Sequence, residues 1–184
     1  MFEVFYNQAV RKLTVAFGSL FNNVYVQRLD SNGDETSRIR VPLGYGPKQK
    51  YIRRLRESST IGDSSDVQMT LPRMSFEMTS AAYDPSRKKN TMQKRFIEHT
   101  ENSKTFTNYS EVPYDFTFSL SVMVKFMEDG LCILEQILPY FTPEFTVSIN
   151  VNTINQKVDI PIVLNSTSIT EDYEGDFDSR RLIM

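Results

Sequence analysis

The sequence predicts an α+β fold, in which two or three helices pack on a largely antiparallel sheet. Apolar residues recur every three to four positions near residues 4–21 and 128–141, as they do in amphipathic helices. Elsewhere they alternate with polar residues, and tight-turn sequences join these alternating runs, so most strands are predicted to connect as hairpins. A chain of 184 residues can build one sizeable core, so we expect a single domain over residues 1–184.

The first predicted elements are a helix, a hairpin and a second helix. Residues 4–21 have the apolar spacing of an amphipathic helix. Two alternating runs follow on either side of residues 31–34, whose sequence is SNGD. Asn-Gly readily adopts the positive φ angles of a tight turn, so these runs predict a β-hairpin. Gly46 and Pro47 then predict the start of a short basic helix, because proline fits the first helical turn.

The middle of the chain predicts two strands separated by a polar segment. Residues 67–78 alternate, and their phase slips at Pro72, which predicts a bulge or an edge strand there. Residues 84–112, called the arm below, are polar and poor in aliphatic residues. They predict a long hairpin or an exposed loop that orders on a partner. Residues 114–124 are the clearest strand, because alternate positions are apolar over their whole length.

The last third of the chain predicts a helix followed by strands. Glu128 and Asp129 lie where the helix dipole favours acidic residues, and Pro139 is predicted to end the helix. Residues 144–169 predict two strands around an Asn-rich turn, and a charged turn follows them. The predicted core stripe of the helix comprises Leu131, Leu134, Leu138 and Phe141, widened by Ile133 and Ile137.

Composition excludes several classes of protein. The formal net charge of −2 argues against a general binder of nucleic acid or anionic membranes, so any such attraction must be local. Cys132 is the one cysteine, which rules out an intramolecular disulfide and fits a reducing compartment. The apolar runs are too short to span a membrane, and the N-terminus lacks a secretory pattern. We therefore expect a protein that stays in the cytoplasm or is built into something assembled there.

The motifs of common catalytic and cofactor sites do not fit the sequence. The stretch GYGPKQK lacks the Gly spacing and the Lys-Ser or Lys-Thr step of a phosphate-binding loop, so Gly44 and Gly46 predict a sharp turn instead. His99 and Cys132 are too few for a zinc site. Cys132 lies in an apolar helix, where an inert thiol is the usual state. We expect no catalytic residue, metal or cofactor.

An acidic cluster lies near the C-terminus. A calcium loop would need glycine at its sixth position and glutamate at its twelfth, and the spacing here does not match. A solvated hairpin tip, a contact for a basic neighbour, and a pair of carboxylates for acid–base chemistry remain as alternatives. The acidic cluster consists of Glu171, Asp172, Glu174, Asp176 and Asp178.

A basic cluster lies on the second predicted helix, within the acid-free run 38–56. Tyr51, Ile52 and Leu55 are predicted to face the protein, which leaves the cations outside. The outward face is then a solvated surface, a nucleic-acid site that uses the rings of Tyr45 and Tyr51, or a docking patch for acidic protein. The basic cluster consists of Lys48, Lys50, Arg53, Arg54 and Arg56.

Five segments, in order along nearly the whole chain, resemble one family. They are FYNQAVRKL, RVPLGYGPKQKYI, LPRMSFEMTSAAYD, LEQILPYFTPEF and EGDFDSRR, of which LEQILPYF with the following Pro and Phe is the most specific. The chain resembles the tail sheath stabiliser and completion proteins, or tail terminators, of T4-like contractile-tailed bacteriophages. The arm matches this family poorly. The family also implies a further strand and a polar tail after Arg181, whereas this sequence ends at Met184.

The resemblance implies a structural virion protein without enzymatic activity. It implies a hexameric ring at the tail–neck junction, assembled in the host cytoplasm. The ring would contact the tail sheath protein, the tail tube or its terminating protein, and the neck or connector proteins. DNA would pass through the ring without specific binding, and no membrane or cofactor would be involved.

The charge pattern suggests how such a ring would close. We expect the basic cluster of one subunit to meet the acidic cluster of the next. Two alternatives remain: a nucleic-acid-binding module that uses residues 38–56, and an enzyme whose carboxylates include Asp176 or Asp178.

Overall fold

The first helix, α1 (Ala9–Leu20), begins later than its predicted start but ends within one residue of its predicted end. Its Phe17 side chain is buried and packs on the rings of Phe21 and Phe76, with ring centroids 5.2 and 5.6 Å away. The computed structural model describes residues 6, 8–30, 33–57, 70–90, 92–99, 104–150, 157–172 and 181–184.

The predicted hairpin is confirmed by strands β1 (Tyr25–Leu29) and β2 (Glu35–Arg40), which pair antiparallel. Gly33 in the connecting turn has a φ of +85°, a conformation that glycine adopts without the usual steric cost. Val26 of β1 is fully buried. The alternation of the sequence therefore places one face of this hairpin on the core.

The remaining elements alternate between strands and helices. The second helix lies where Gly46 and Pro47 predict it. In chain order the elements are β3 (Leu43–Tyr45), α2 (Lys48–Glu57), β4 (Arg73–Tyr83), β5 (Lys94–His99), β6 (Lys104–Tyr109), β7 (Tyr114–Val124), α3 (Met127–Ile137), β8 (Glu144–Asn150), β9 (Lys157–Val163), β10 (Thr170–Asp172) and β11 (Arg181–Ile183).

Five of these strands form the main sheet, in the order β10-β11-β7-β4-β3. β11 runs antiparallel to both of its neighbours, and β3 runs parallel to β4. Three further antiparallel pairs are β1–β2, β5–β6 and β8–β9. The predicted α+β class with a largely antiparallel sheet is therefore confirmed.

The chain divides into two compact units. The first comprises residues 1–77 and 120–184 and includes α1, α2 and α3, and the second comprises residues 78–119. The second unit includes the whole arm, in which β5 and β6 pair as a hairpin with Lys94 opposite Tyr109. The description of the chain as a single domain with an arm stays a prediction. Within the described residues, no helix is long and apolar enough to cross a membrane.

Two local predictions were wrong in part, namely the edge-strand alternative at Pro72 and the place of Leu131 in the core stripe of α3. The peptide bond before Pro72 is cis, and β4 starts directly after it and lies inside the sheet between β7 and β3, so Pro72 marks no edge strand. Residues 67–69 lie outside the described part. In α3, Ile133 is fully buried, whereas Leu131 is 43% exposed. The core-facing side of α3 is therefore the one that carries Gly130, Ile133 and Ile137.

Helix α3 packs directly on the sheet because Gly130 has no side chain. A Cβ atom at this position would lie 2.5 Å from Met184 Cε and 3.2 Å from Val124 Cγ2. Val124 ends β7, and Met184 continues β11 through backbone hydrogen bonds with Val122. Gly130 therefore lies on the side of α3 that packs most closely on the sheet.

Polar contacts join α3 to β1. The Tyr25 backbone N–H donates to Gln136 Oε1 at 3.2 Å, and Gln136 Nε2 donates to the Tyr25 carbonyl at 2.5 Å. Arg28 Nη2 donates to Asp129 Oδ2 at 3.0 Å, and Asp129 is only 5% exposed. A carboxylate buried to this extent depends on its cationic partner.

Replacing Arg28 with methionine should lower the free energy of unfolding by about 1–3 kcal/mol, because it leaves the buried Asp129 carboxylate without that partner. Urea denaturation followed by circular dichroism measures the change. Arg38→Met is the matched control from the same hairpin. The Arg38 guanidinium carbon lies 4.5 Å from the Tyr25 ring centroid at an exposed position, where such contacts contribute about 0.5–1 kcal/mol. Equal losses in the two variants would contradict a special role for the Arg28–Asp129 pair.

In the second unit, Asp84 organises a corner between β4 and the arm. Its Oδ1 accepts hydrogen bonds from the Ser86 N–H at 2.8 Å and the Ser86 hydroxyl at 2.6 Å, and Arg87 bridges Asp84 and Asp115. The Ser86 hydroxyl, followed by Arg87, lowers the pKa of Asp84 from 3.8 to about 2.

We expect the Asp84 carboxyl signal in an NMR titration to have its midpoint near pH 2. A lowered pKa in the folded state means that the carboxylate stabilises this corner fully above about pH 4 and that this contribution is lost as the pH falls through about 2. Ser86→Ala should move the midpoint upward. A midpoint near pH 4 in the unsubstituted protein would contradict the hydrogen-bonded corner.

Candidate protein-interaction site

The basic helix α2 is positioned by a sharp turn after β3. Gly46 has a φ of +154°, which side-chain-bearing residues rarely adopt, and its N–H donates to the Phe76 carbonyl at 2.9 Å. Pro47 follows and starts the helix. The two glycines of the GYGPKQK stretch therefore make a strand-to-helix turn, as the sequence predicts.

Tyr51 holds α2 against the sheet. Its side chain is 5% exposed, and a Cβ atom at Gly44 would overlap its hydroxyl. The Arg73 guanidinium lies over the Tyr51 ring, 5.2 Å from the centroid. Because the Tyr51 ring packs between Gly44 and Arg73, it fixes the rotation of α2 about its axis. This rotation decides which residues of the helix point outward.

The outward side of α2 is cationic. Tyr51 is buried and Ile52 half-buried, as predicted, whereas the side chain of Leu55 lies outside the described part. The side chain of Arg56 is likewise not described. The four remaining members of the basic cluster, Lys48, Lys50, Arg53 and Arg54, are all exposed.

Two further cations of the run 38–56, Arg38 and Arg40, contact groups of the same chain. Arg38 lies over the Tyr25 ring. Arg40 donates to the carbonyl and to the side-chain oxygen of Asn22, at 3.0 and 2.9 Å. Arg38 and Arg40 are also exposed, but they belong to β2, so the exposed cations of this run are divided between β2 and α2.

The acidic cluster is only partly described. Glu171 and Asp172 belong to β10, which pairs with β11, but their side chains are not described. Glu174, Asp176 and Asp178 lie in residues 173–180, outside the described part. The pairing of the basic cluster with the acidic cluster therefore stays a prediction.

Of the residues weighed for catalysis, Cys132 is the one whose side chain the structure describes. Cys132 is half-buried in α3, with Sγ 3.4 Å from Gln136 Nε2 and 4.0 Å from the Tyr25 carbonyl. His99 ends β5, and its side chain is not described. In the described ranges, no group of three His, Cys, Asp or Glu side chains could hold a metal ion.

A groove of about 540 Å³ lies between the C-terminal ends of α1 and α3 and the start of β8. Aromatic rings form much of its lining: Phe21 directly after α1, Tyr140 and Phe141 from the segment after α3, and Phe145 from β8. The exposed Glu135 also lines it. The groove therefore combines an aromatic wall with a carboxylate.

Residues 4–184 match the family model described as the tail sheath stabiliser of T4-like viruses of the Myoviridae. The chain belongs to this family. It is also 33% identical, over 189 aligned positions, to the tail completion protein gp15 of Enterobacteria phage T4, an alignment that covers all of this chain and 68% of the relative. The resemblance carried by the five sequence segments is confirmed.

Membership in the tail sheath stabiliser family defines the function in broad terms. The chain is a structural protein of a T4-like phage tail, located in the virion tail and in contact with other tail components. Such a protein needs surfaces that bind other proteins of the tail. The basic face of α2 and the aromatic groove are the two candidate surfaces of this family member.

Sequence reasoning found the first of these surfaces and missed the second. The sequence alone predicts the basic cluster, because its cations and the few apolar residues that anchor the helix lie within one short segment. The groove was missed because Phe141 was assigned to the core stripe of α3 and Phe21 to the end of α1. The signal that could have indicated the groove is the group of aromatic residues in PYFTPEF, which begins four residues after Glu135.

Proposed function

We propose that six copies of this chain form a ring that terminates the tail tube and stabilises the contractile sheath, linking the tail to the neck and head. The ring is a structural element without enzymatic activity. The observation that carries this proposal is the family match, which extends over residues 4–184. The partners of the ring are the sheath protein, the tail tube or its terminating protein, and the neck proteins.

The geometry of the chain suits this role. A closed ring needs two different surfaces on each subunit, since each copy contacts one neighbour with each. Tyr51 orients a cationic face on α2, and the aromatic groove supplies a separate surface on other elements. Within the described residues, β3 and β10 also end the main sheet, and the borders of end strands are suited to pairing with another chain.

The alternative function, nucleic-acid binding through residues 38–56, has less support. The exposed Arg38 and Arg40 already contact the Tyr25 ring and Asn22, so part of their capacity to bind phosphate is used within the chain. In the ring, DNA passes through the opening without specific binding. Retention of the purified chain on DNA that falls steeply with added salt would instead favour the alternative.

Tail completion in vitro tests the proposed function. Tails assembled without this protein are incubated with the purified chain, then diluted and imaged by electron microscopy. We expect the added chain to preserve extended sheaths of uniform length and to make the tails competent to join heads. Sheaths that disassemble equally with and without the added protein would contradict the proposal.

A further inference from the structure

The aromatic groove has the composition of a site for a cationic side chain. The Phe21 and Phe141 rings stack at a centroid distance of 6.4 Å, and the Phe145 ring lies 6.4 Å from both Phe141 and Tyr140. Tyr140 is 67% exposed, so the aromatic wall is open to an incoming group. Aromatic faces attract ammonium and guanidinium groups through the ring quadrupole.

Glu135 gives the groove its charge. The helix α3 carries Glu128, Asp129 and Glu135 and no basic residue, and Asp129 is already paired with Arg28. Glu135 lines the groove, is exposed, and makes no ion pair within the described part of the chain. A carboxylate beside aromatic rings suits a side chain with an apolar stem and a cationic end, which describes lysine and arginine.

The α2 helix supplies such side chains. Lys50 and Arg54 are one helical turn apart and both exposed, on one flank of the helix beside the buried Tyr51. No residue of α2 lines the groove of its own copy. The complementary surfaces are therefore available to two different copies of the chain.

We propose that the aromatic groove of one subunit receives Lys50 or Arg54 from α2 of a second copy, with Glu135 as the counter-ion. The inference rests on the proposed ring and specifies its subunit contact. Each copy offers its groove to one neighbour and its α2 helix to the other, so the contact is heterologous and can close. It differs from the pairing expected from sequence, in which the basic cluster meets residues 171–178.

Cross-linking between two labelled copies tests the contact. In a Cys132→Ser background, one tagged protein carries Asn23→Cys, an exposed residue that lines the groove, and a second, differently tagged protein carries Gln49→Cys, an exposed residue of α2. Glu135, Lys50 and Arg54 are kept, and the two proteins are mixed, allowed to assemble on tails and treated with a short bismaleimide. We expect dimers that contain both tags, whereas a matched pair that carries Lys157→Cys in place of Gln49→Cys should give only background.

Charge exchange provides a second measurement. Glu135→Lys should weaken self-association at least about tenfold, and adding Lys50→Glu should restore much of it. Glu128→Lys, an equal change on the same helix away from the groove, should have a smaller effect. Both glutamates are exposed, so these variants are expected to fold.

The possible outcomes separate this contact from the ring itself. Rings that form without cross-linking above the control overturn the contact and leave the proposed function intact. Groove variants that form rings normally but fail to complete tails would show that the groove binds another tail protein, which also overturns it. If the unsubstituted chain forms no ring, the proposed function and the contact fail together.

Discussion

Replacing both Arg53 and Arg54 with glutamate is expected to abolish tail completion while leaving the fold intact. Both residues are exposed on α2, and the buried Tyr51 keeps the helix in its orientation. The double change reverses two charges on every subunit, and like charges placed at an interface cost several kcal/mol. Because the contact repeats around a ring, the penalty applies to each subunit. Complementation of phage that lack the protein should fall by at least about a hundredfold.

The matched control carries Arg11→Glu and Lys157→Glu, which change the net charge equally at exposed positions outside α2. It should complement nearly as well as the unsubstituted protein. Thermal denaturation should show equal midpoints for the two double variants, which separates assembly from folding. Added salt should narrow the difference between them, because it screens surface charges. Normal tail completion by the Arg53→Glu, Arg54→Glu protein, at low and at high salt, would refute the role of the basic cluster.

Replacing Ile133 with alanine is expected to have the largest effect on stability. Its side chain is fully buried on the core-facing side of α3. Removing three carbons there loses their burial and leaves a cavity, so the free energy of unfolding should fall by about 2–5 kcal/mol. That loss is a large part of the roughly 5–15 kcal/mol that holds a typical domain folded. Urea denaturation at equilibrium measures it.

Leu131→Ala is the matched control for this prediction. Leu131 lies on the same helix, was predicted from the sequence to be a core residue, and is largely exposed in the structure. Its replacement should cost less than about 1 kcal/mol. If Leu131→Ala proved more destabilising than Ile133→Ala, the observed orientation of α3 would be wrong.

The contrast between Ile133 and Leu131 shows what the sequence could predict about the fold. The period of the apolar residues identifies α1 and α3 as helices, and turn residues identify the β1–β2 hairpin. Periodicity cannot orient α3, however, because apolar residues occupy two of its sides. Gly130 lies on the side that meets the core, where its missing side chain leaves room for Met184 and Val124. That choice depends on residues distant in sequence.

The two candidate surfaces differ in the same way. The basic cluster lies within one short helix, so the sequence alone locates it and predicts that Tyr51 points inward. The aromatic groove joins Phe21 to Phe145, which are far apart in sequence and meet only when α1 packs near β8. In the sequence, Glu135 is one of several polar residues on an amphipathic helix, and nothing local marks it as part of a binding surface. Its aromatic neighbours in the groove are identified only by the structure.

Electron cryo-microscopy of intact virions tests the central claim most directly. Averaging around the tail axis at the tail–neck junction should show a closed ring of six copies of this chain on the last sheath disc, with the central opening on the tube axis. A different protein at that position, or a number of copies other than six, would contradict the account.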